Sequence, residues 1–248
     1  MLPWVMRGLA AALATVLVLA CQHREPSPGA QAAESSGLRD ALAQIDAHVE
    51  QLRGAFEQRA GAPRPQDVAW VKLRLSHLAE LDQYLRLVYD DLGPRLPSQE
   101  QQALQDALEQ RIEAIDAANT REVQALVATH GWFRISTFGE QTDHDAWLLV
   151  QHADHDPEFQ RRVLEVLDGL HPQGETSPAN FAYLFDRVAI SQGRLQRYGT
   201  QGECIAGNWT TKPLEQPDAV DSLRASVGLP PLAVYTAMGR QICQVDKT

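Results

Sequence analysis

The chain is 248 residues long and carries 32 acidic against 22 basic side chains, a formal charge of −10 with His neutral. Lysine occurs only at Lys72, Lys212 and Lys247, and no stretch concentrates cationic residues. Phosphate backbones and anionic lipid headgroups are held by clustered cations, so nucleic acid and direct electrostatic binding to a lipid surface are excluded.

The first element in chain order is an export signal. Residues 1–20 hold one charge, Arg7, followed by the apolar run Gly8–Ala20 and then Cys21. A short charged start before a short apolar run is the layout of a signal peptide. Those 13 residues would reach about 20 Å as a helix, well short of the ~30 Å hydrocarbon core, which argues against a permanent span. Val18-Leu19-Ala20-Cys21 resembles the lipobox of bacterial lipoproteins, with Leu19 where a smaller residue is usual. The resemblance implies cleavage before Cys21, acylation of Cys21 and a lipid anchor in the membrane. Gln22, in place of Asp after the cysteine, implies sorting to the outer membrane, facing the periplasm. An ordinary secreted protein with an incidental cysteine is the alternative. Residues 21–37 are polar and rich in Pro, Ser, Ala and Gly, as a flexible tether requires. Without residues 1–20 the chain keeps 21 basic and 32 acidic residues, a charge of −11.

Once Cys21 carries lipid, Cys204 and Cys243 remain as an even pair in an oxidising compartment. A disulfide between them is expected; two buried free thiols are the alternative.

Three long helices follow. Leu38, Leu42, Ile45, Val49, Leu52 and Phe56 alternate spacings of four and three, a heptad seam on one helix face. Gly61-Ala62-Pro63 interrupts it, and Val68, Val71, Leu75, Leu78, Leu85, Val88 and Leu92 define a second helix that Gly93-Pro94 ends. Ser98 and Gln101 have capping-box spacing and open a third amphipathic segment through Leu104, Leu108, Ile112, Ile115, Val123 and Leu126, closed by Gly131. Short turns between long helices predict an antiparallel hairpin or bundle over 38–130.

The C-terminal part, 131–248, is denser in Gly, His, Asp and aromatic residues. It predicts short helices over Asp143–His152, from the Asp156 N-cap and Pro157 to about Leu170, and from Ser177 or Pro178 to Ser191. A small β-hairpin is expected around Gly207-Asn208, with Asn208-Trp209-Thr210 as its turn, then short helices near Ala219–Val227 and Pro231–Ile242. The fold class is therefore mainly α, a helical bundle followed by an α-rich domain with a small β-hairpin.

No familiar hydrolase, phosphate-binding or dinucleotide signature occurs in the sequence. Chemistry-bearing residues concentrate in two places. In the first, His152, Asp154, His155 and Asp156 fall within five residues, with Gln160 following. A helix boundary between His152 and His155 would point the two imidazoles apart, and Asp156 is already used as an N-cap. The second holds Asp186, Arg187, Gln196, Tyr198 and Gln201. Charges beside the apolar face of Phe181, Leu184, Phe185 and Val188 need partners. One reading is a buried ion pair tying helices together. The other is a polar pocket in which Asp186 orients a catalytic His152, while His155, Gln160, Arg187, Gln196, Tyr198 and Gln201 face an anionic or polar ligand. No metal and no cofactor is assigned to either.

Together, Gly131-Trp132, Gln151-His152-Ala153-Asp154 with Gln160, Asp186-Arg187-Val188, Gly193-x-x-Gln196-x-Tyr198-Gly199-Thr200-Gln201 and Gly228-Leu229-Pro230-Pro231 resemble the bacterial family known as domain of unknown function 6624. Phe133 departs from the Pro that the family tends to have after the Trp. The resemblance covers about residues 130 to 240 and implies a shared fold and a shared polar site without a known reaction. The expected role is a periplasm-facing envelope lipoprotein that binds a small polar ligand or an envelope protein. A hydrolase-like enzyme using His152 and Asp186, and a structural spacer, are the alternatives.

Overall fold

The computed structural model describes residues 36–245; the expected signal peptide, Cys21 and nearly all of the tether lie outside them. Among the described residues the fold is mainly helical, with one two-stranded antiparallel sheet. Helices α1 (Ser36–Ala60), α2 (Val68–Leu92) and α3 (Ser98–His130) form the bundle. Leu38, Ala41 and Ile45 of α1 pack with Leu85, Val88 and Leu92 of α2 and with Leu104 and Leu108 of α3. The heptad seam is therefore consumed within the chain. Asp67 opens α2 by accepting from the Trp70 backbone N–H at 2.8 Å.

The expected capping box at α3 does not form. Pro97, extended at ψ 144°, takes the N-cap position, which puts Ser98 inside the first turn, past the position from which its hydroxyl could cap. Gln101 Nε2 instead donates to the Leu96 carbonyl at 3.0 Å. The other end of α3 follows expectation: Gly131 adopts φ +71° and donates to the Val127 carbonyl at 2.8 Å, a conformation that disfavours a Cβ.

The C-terminal part contains α4 (Ile135–Phe138), α5 (Glu140–Gln151), α6 (Pro157–Leu170), α7 (Pro178–Ser191), β1 (Gly202–Ile205), β2 (Asn208–Thr211), α8 (Val220–Ser226) and α9 (Leu232–Val245). Asp156 caps α6 through the Phe159 N–H at 2.9 Å, with Pro157 in the first turn, as its sequence predicts. In the hairpin, Ile205 pairs with Asn208, so the turn is Ala206-Gly207, both at positive φ. The Asn208-Trp209-Thr210 segment is thus strand rather than turn. Its buried Trp209 lies so close to Gly202 and Gly239 that a Cβ at either would come within 2.6 and 2.5 Å of the indole. Cys204 of β1 is disulfide-bonded to Cys243 of α9, with Cα atoms 5.5 Å apart.

A second, larger core runs across residue 130. It joins Phe56, Trp70, Val71, Leu75 and Leu78 of the bundle to Trp147, Leu148, Val150, Phe159 and Leu184 of the C-terminal part, and continues to Cys243. Helix α2 therefore packs on α1 and α3 and also on α5. Its polar residues Asp82 and Arg86 lie where α3 and the end of α5 converge on it.

Candidate functional site

The His152–Asp156 segment is a tight connection between α5 and α6 that is tied down from four directions. His152 caps the C-terminal end of α5, and its Nδ1 lies 2.8 and 2.9 Å from the two carboxylate oxygens of Asp82 on α2. Asp154 receives Arg187 Nη1 of α7 on both oxygens, at 2.7 and 2.6 Å, and Gln160 Nε2 of α6 at 3.0 Å. Gln124 of α3 donates to Asp156 at 2.7 Å. A segment with this many long-range anchors is held rigidly, which suits a binding or reactive group mounted on it.

Around His152 the network extends into the bundle. Arg86 Nη2 donates to both oxygens of Asp116 on α3, at 2.7 and 2.8 Å, and lies 3.2 Å from Asp82 Oδ1. Gln83 Nε2 donates to Asp82 Oδ2 at 2.7 Å. The side chains are buried: Asp82 is 0% exposed, His152 2%, Arg86 6% and Asp116 13%. Burial opposes ionisation of Asp82, but the facing His152 and the Arg86 guanidinium outweigh it and hold the carboxyl below its ordinary value. At Asp116 burial prevails and raises the carboxyl despite Arg86.

These charges place a proton on His152 Nδ1. Arg86 Nε approaches His152 Nδ1 at 3.1 Å, and one ring nitrogen cannot both accept from Arg86 and donate to Asp82. An ionised Asp82 has only acceptor oxygens, so Nδ1 carries a proton and donates to it. Asp82, Asp116 and His152 also each place a potential metal-ligand atom within 4.8 Å of the others. The Arg86 guanidinium already lies against all three and supplies the compensating positive charge, so a divalent ion would have to displace it. The network opens on a cleft of about 470 Å³ lined by Arg86, Glu113, Asp116, His152, Asp154 and His155. His155 is exposed and shares this wall with His152, although a helix boundary separates them.

The other predicted site residues are placed elsewhere, and the pairing of His152 with Asp186 is corrected to His152 with Asp82. Asp186, 0% exposed, accepts from the backbone N–H groups of Arg197, Tyr198 and Thr200 at 2.7, 3.0 and 2.9 Å and from the Thr200 hydroxyl at 2.9 Å. It is the post around which the 193–201 loop winds. Gln196 belongs to that loop too: its Nε2 donates to the carbonyls of Gln201 and Lys212, and its Oε1 accepts from the Gln201 N–H. Gln201 Nε2 turns back to Thr200 Oγ1. The Tyr198 ring packs edge-on against Phe181 and Phe185, and Gln160 is buried against the Val150 and Gln151 carbonyls. Backbone groups, the Thr200 hydroxyl and neighbouring aromatic rings occupy these side chains, and none of them lines the cleft at His152. Arg187 forms an ion pair with Asp154, which ties α7 to the α5–α6 connection rather than to another helix and leaves the carboxylate side chain 56% exposed.

Sequence reasoning missed Asp82, Arg86, Glu113 and Asp116. A signal was present for Asp82: the second helix's apolar spacing skips from Leu78 to Leu85, and Asp82 stands in the gap, four residues after one and three before the other.

The fold and site define a helical domain whose α5–α6 connection carries a buried His–carboxylate–Arg network. The chain belongs to the Family of unknown function (DUF6624), whose model matches residues 71–243. The match begins inside α2 and so includes Asp82, Arg86 and Asp116. No curated protein and no solved structure matches the chain.

Proposed function

We propose that this is a cell-envelope lipoprotein whose α2–α3–α5 cleft binds a small polar ligand bearing positive charge. The carrying observation is the buried Asp82–His152–Arg86–Asp116 network opening on a wall where the carboxylates of Glu113, Asp116 and Asp154, with Asp82 behind them, outnumber the two guanidiniums that pair with them, Arg86 and Arg187. A surplus of carboxylates in a partly desolvated cleft favours an amine or another cationic donor over an anion. Anchoring is supported by the apolar run ending at Ala20-Cys21. Among the described residues no helix is long and apolar enough to cross a membrane. The ligand assignment is tested by calorimetric titration of the full-length protein with putrescine and, separately, inorganic phosphate. Putrescine should saturate one site, and Glu113→Gln or Asp116→Asn should weaken it at least tenfold; preference for phosphate overturns the reading. Loss of fatty-acid labelling in Cys21→Ser tests the anchor.

A second reading, hydrolase-like chemistry, is favoured by one observation: Asp82 holds His152 Nδ1 with both oxygens and so fixes the imidazole's orientation on the wall of the cleft. The cleft lining contains no Ser, Thr or Cys among the described residues, so the nucleophile in this reading is water. Hydrolysis of p-nitrophenyl acetate that persists unchanged in His152→Gln rejects it.

A further inference from the structure

The opposite side of the α2–α3 pair carries a different groove, closed by α1 and by the turn that follows it. Its volume is about 540 Å³, within the range of small-molecule sites. We propose that this groove is a second ligand site, taking a neutral planar molecule that carries a carbonyl oxygen.

Three observations point to that class. Part of the wall is aromatic and apolar: Phe56 stacks on His77 with ring centroids 4.5 Å apart and planes 10° apart, and Trp70, Leu78 and Leu81 line the same groove. Two buried groups on the lining lack hydrogen-bond partners, Trp70 Nε1 and Asn119 Nδ2, on residues 5% and 3% exposed. The indole N–H is a donor in every state, and the Asn119 amide presents a second, so the missing partner is an acceptor. Formal charges around the groove cancel, Arg53 and Arg74 against Glu57 and Glu122, with Arg74 fixed to Glu122 by two bonds of 2.6 Å. Burial, with Arg74 and other arginines nearby, pushes His77 down to about 4, so that wall is neutral at physiological pH. An acceptor without net charge on a planar apolar body satisfies all three. Asn119 also has a sequence signature parallel to that of Asp82: it stands midway in the seven-residue gap between Ile115 and Val123 in the apolar seam of α3. Phe56 and Trp70 precede residue 71, so part of this groove is built by chain outside the family match.

The proposal is tested by ligand-observed NMR and calorimetry on the full-length protein with two shape-matched probes, 1-acetonaphthone and 1-ethylnaphthalene. The ketone should bind saturably at one per chain and at least tenfold more tightly than the hydrocarbon. Asn119→Leu should erase that preference. Ala118→Trp, at an exposed position on the groove rim, should weaken both probes at least tenfold while leaving thermal unfolding unchanged. If Asn119→Leu fails to fold, the probe pair on the wild type and Ala118→Trp decide. Absence of saturable binding, equal affinity for the two probes, or binding unaltered in Ala118→Trp overturns the proposal.

Discussion

Replacing Asp82 with Ala is the most direct perturbation of the candidate site. The carboxylate is fully enclosed, and it satisfies His152 Nδ1 at 2.8 Å, Gln83 Nε2 at 2.7 Å and one end of Arg86 at 3.2 Å. Its removal leaves Arg86 with Asp116 as its remaining counterion in the network and strands the buried His152 Nδ1 and the half-buried Gln83 amide. Breaking a buried pair from one side costs about 3–5 kcal/mol. For a domain of about 200 residues that corresponds to a fall in Tm of about 12 °C, at roughly 3 °C per kcal/mol. The pH dependence has a definite sign. The folded pKa of Asp82 lies below the ordinary 3.8, so its stabilisation is present above that value and is lost as pH falls through the lower, folded one. Urea unfolding of wild type and variant at pH 7 and again near pH 3 should therefore show a wide gap that narrows in acid. A gap under 1 kcal/mol at pH 7, or one of the same size at both pH values, would refute the reasoning.

Other expectations concern groups away from the cleft. Burial pushes Asp145 up to about 6 from 3.8, so its destabilisation is absent below 3.8, grows between 3.8 and about 6 and is fully present above that. Asp145→Asn should gain up to ~3 kcal/mol at pH 8 and almost nothing at pH 3.5, as read by paired denaturation curves. Asp186→Ala should lose ~3 kcal/mol or more, because it strands the donors of Arg197, Tyr198 and Thr200. Hydrogen exchange should speed up at those three amides, and an unchanged pattern counts against the loop-post role. Reducing Cys204–Cys243, which bridges a separation of 39 residues, should cost on the order of 4 kcal/mol in the chain-entropy model. A urea midpoint that ignores reductant would show that the bridge contributes little.

Features set by local chemistry were legible in the chain itself. Apolar spacing gave α1, α2 and α3, because a helix buries one face and its period of 3.6 writes that face into the sequence. The Asp156-Pro157 start of α6 and the Gly131 stop of α3 followed from caps and backbone freedom. Cysteine parity gave the Cys204–Cys243 bridge. Local chemistry also misled where neighbours compete over one or two residues. Pro97 displaced Ser98 from the α3 cap, and the Ala206-Gly207 turn moved Asn208 into the strand.

The site itself was only half legible. His152 stood out, but choosing its carboxylate required distances that sequence does not carry. Asp186 is 34 positions from His152 and looked the nearer partner, whereas Asp82 is 70 away and lies inside an apolar helix. What decided between them was which helix faces the end of α5. Packing of α2 on α5 brings Asp82 and Arg86 to His152, while the backbone of the 193–201 loop claims both oxygens of Asp186 before any side chain can. Periodicity could flag that something polar occupied the gaps at Asp82 and Asn119. Only the tertiary structure could say what each was for, because a buried polar group takes its meaning from the partner that the fold places against it.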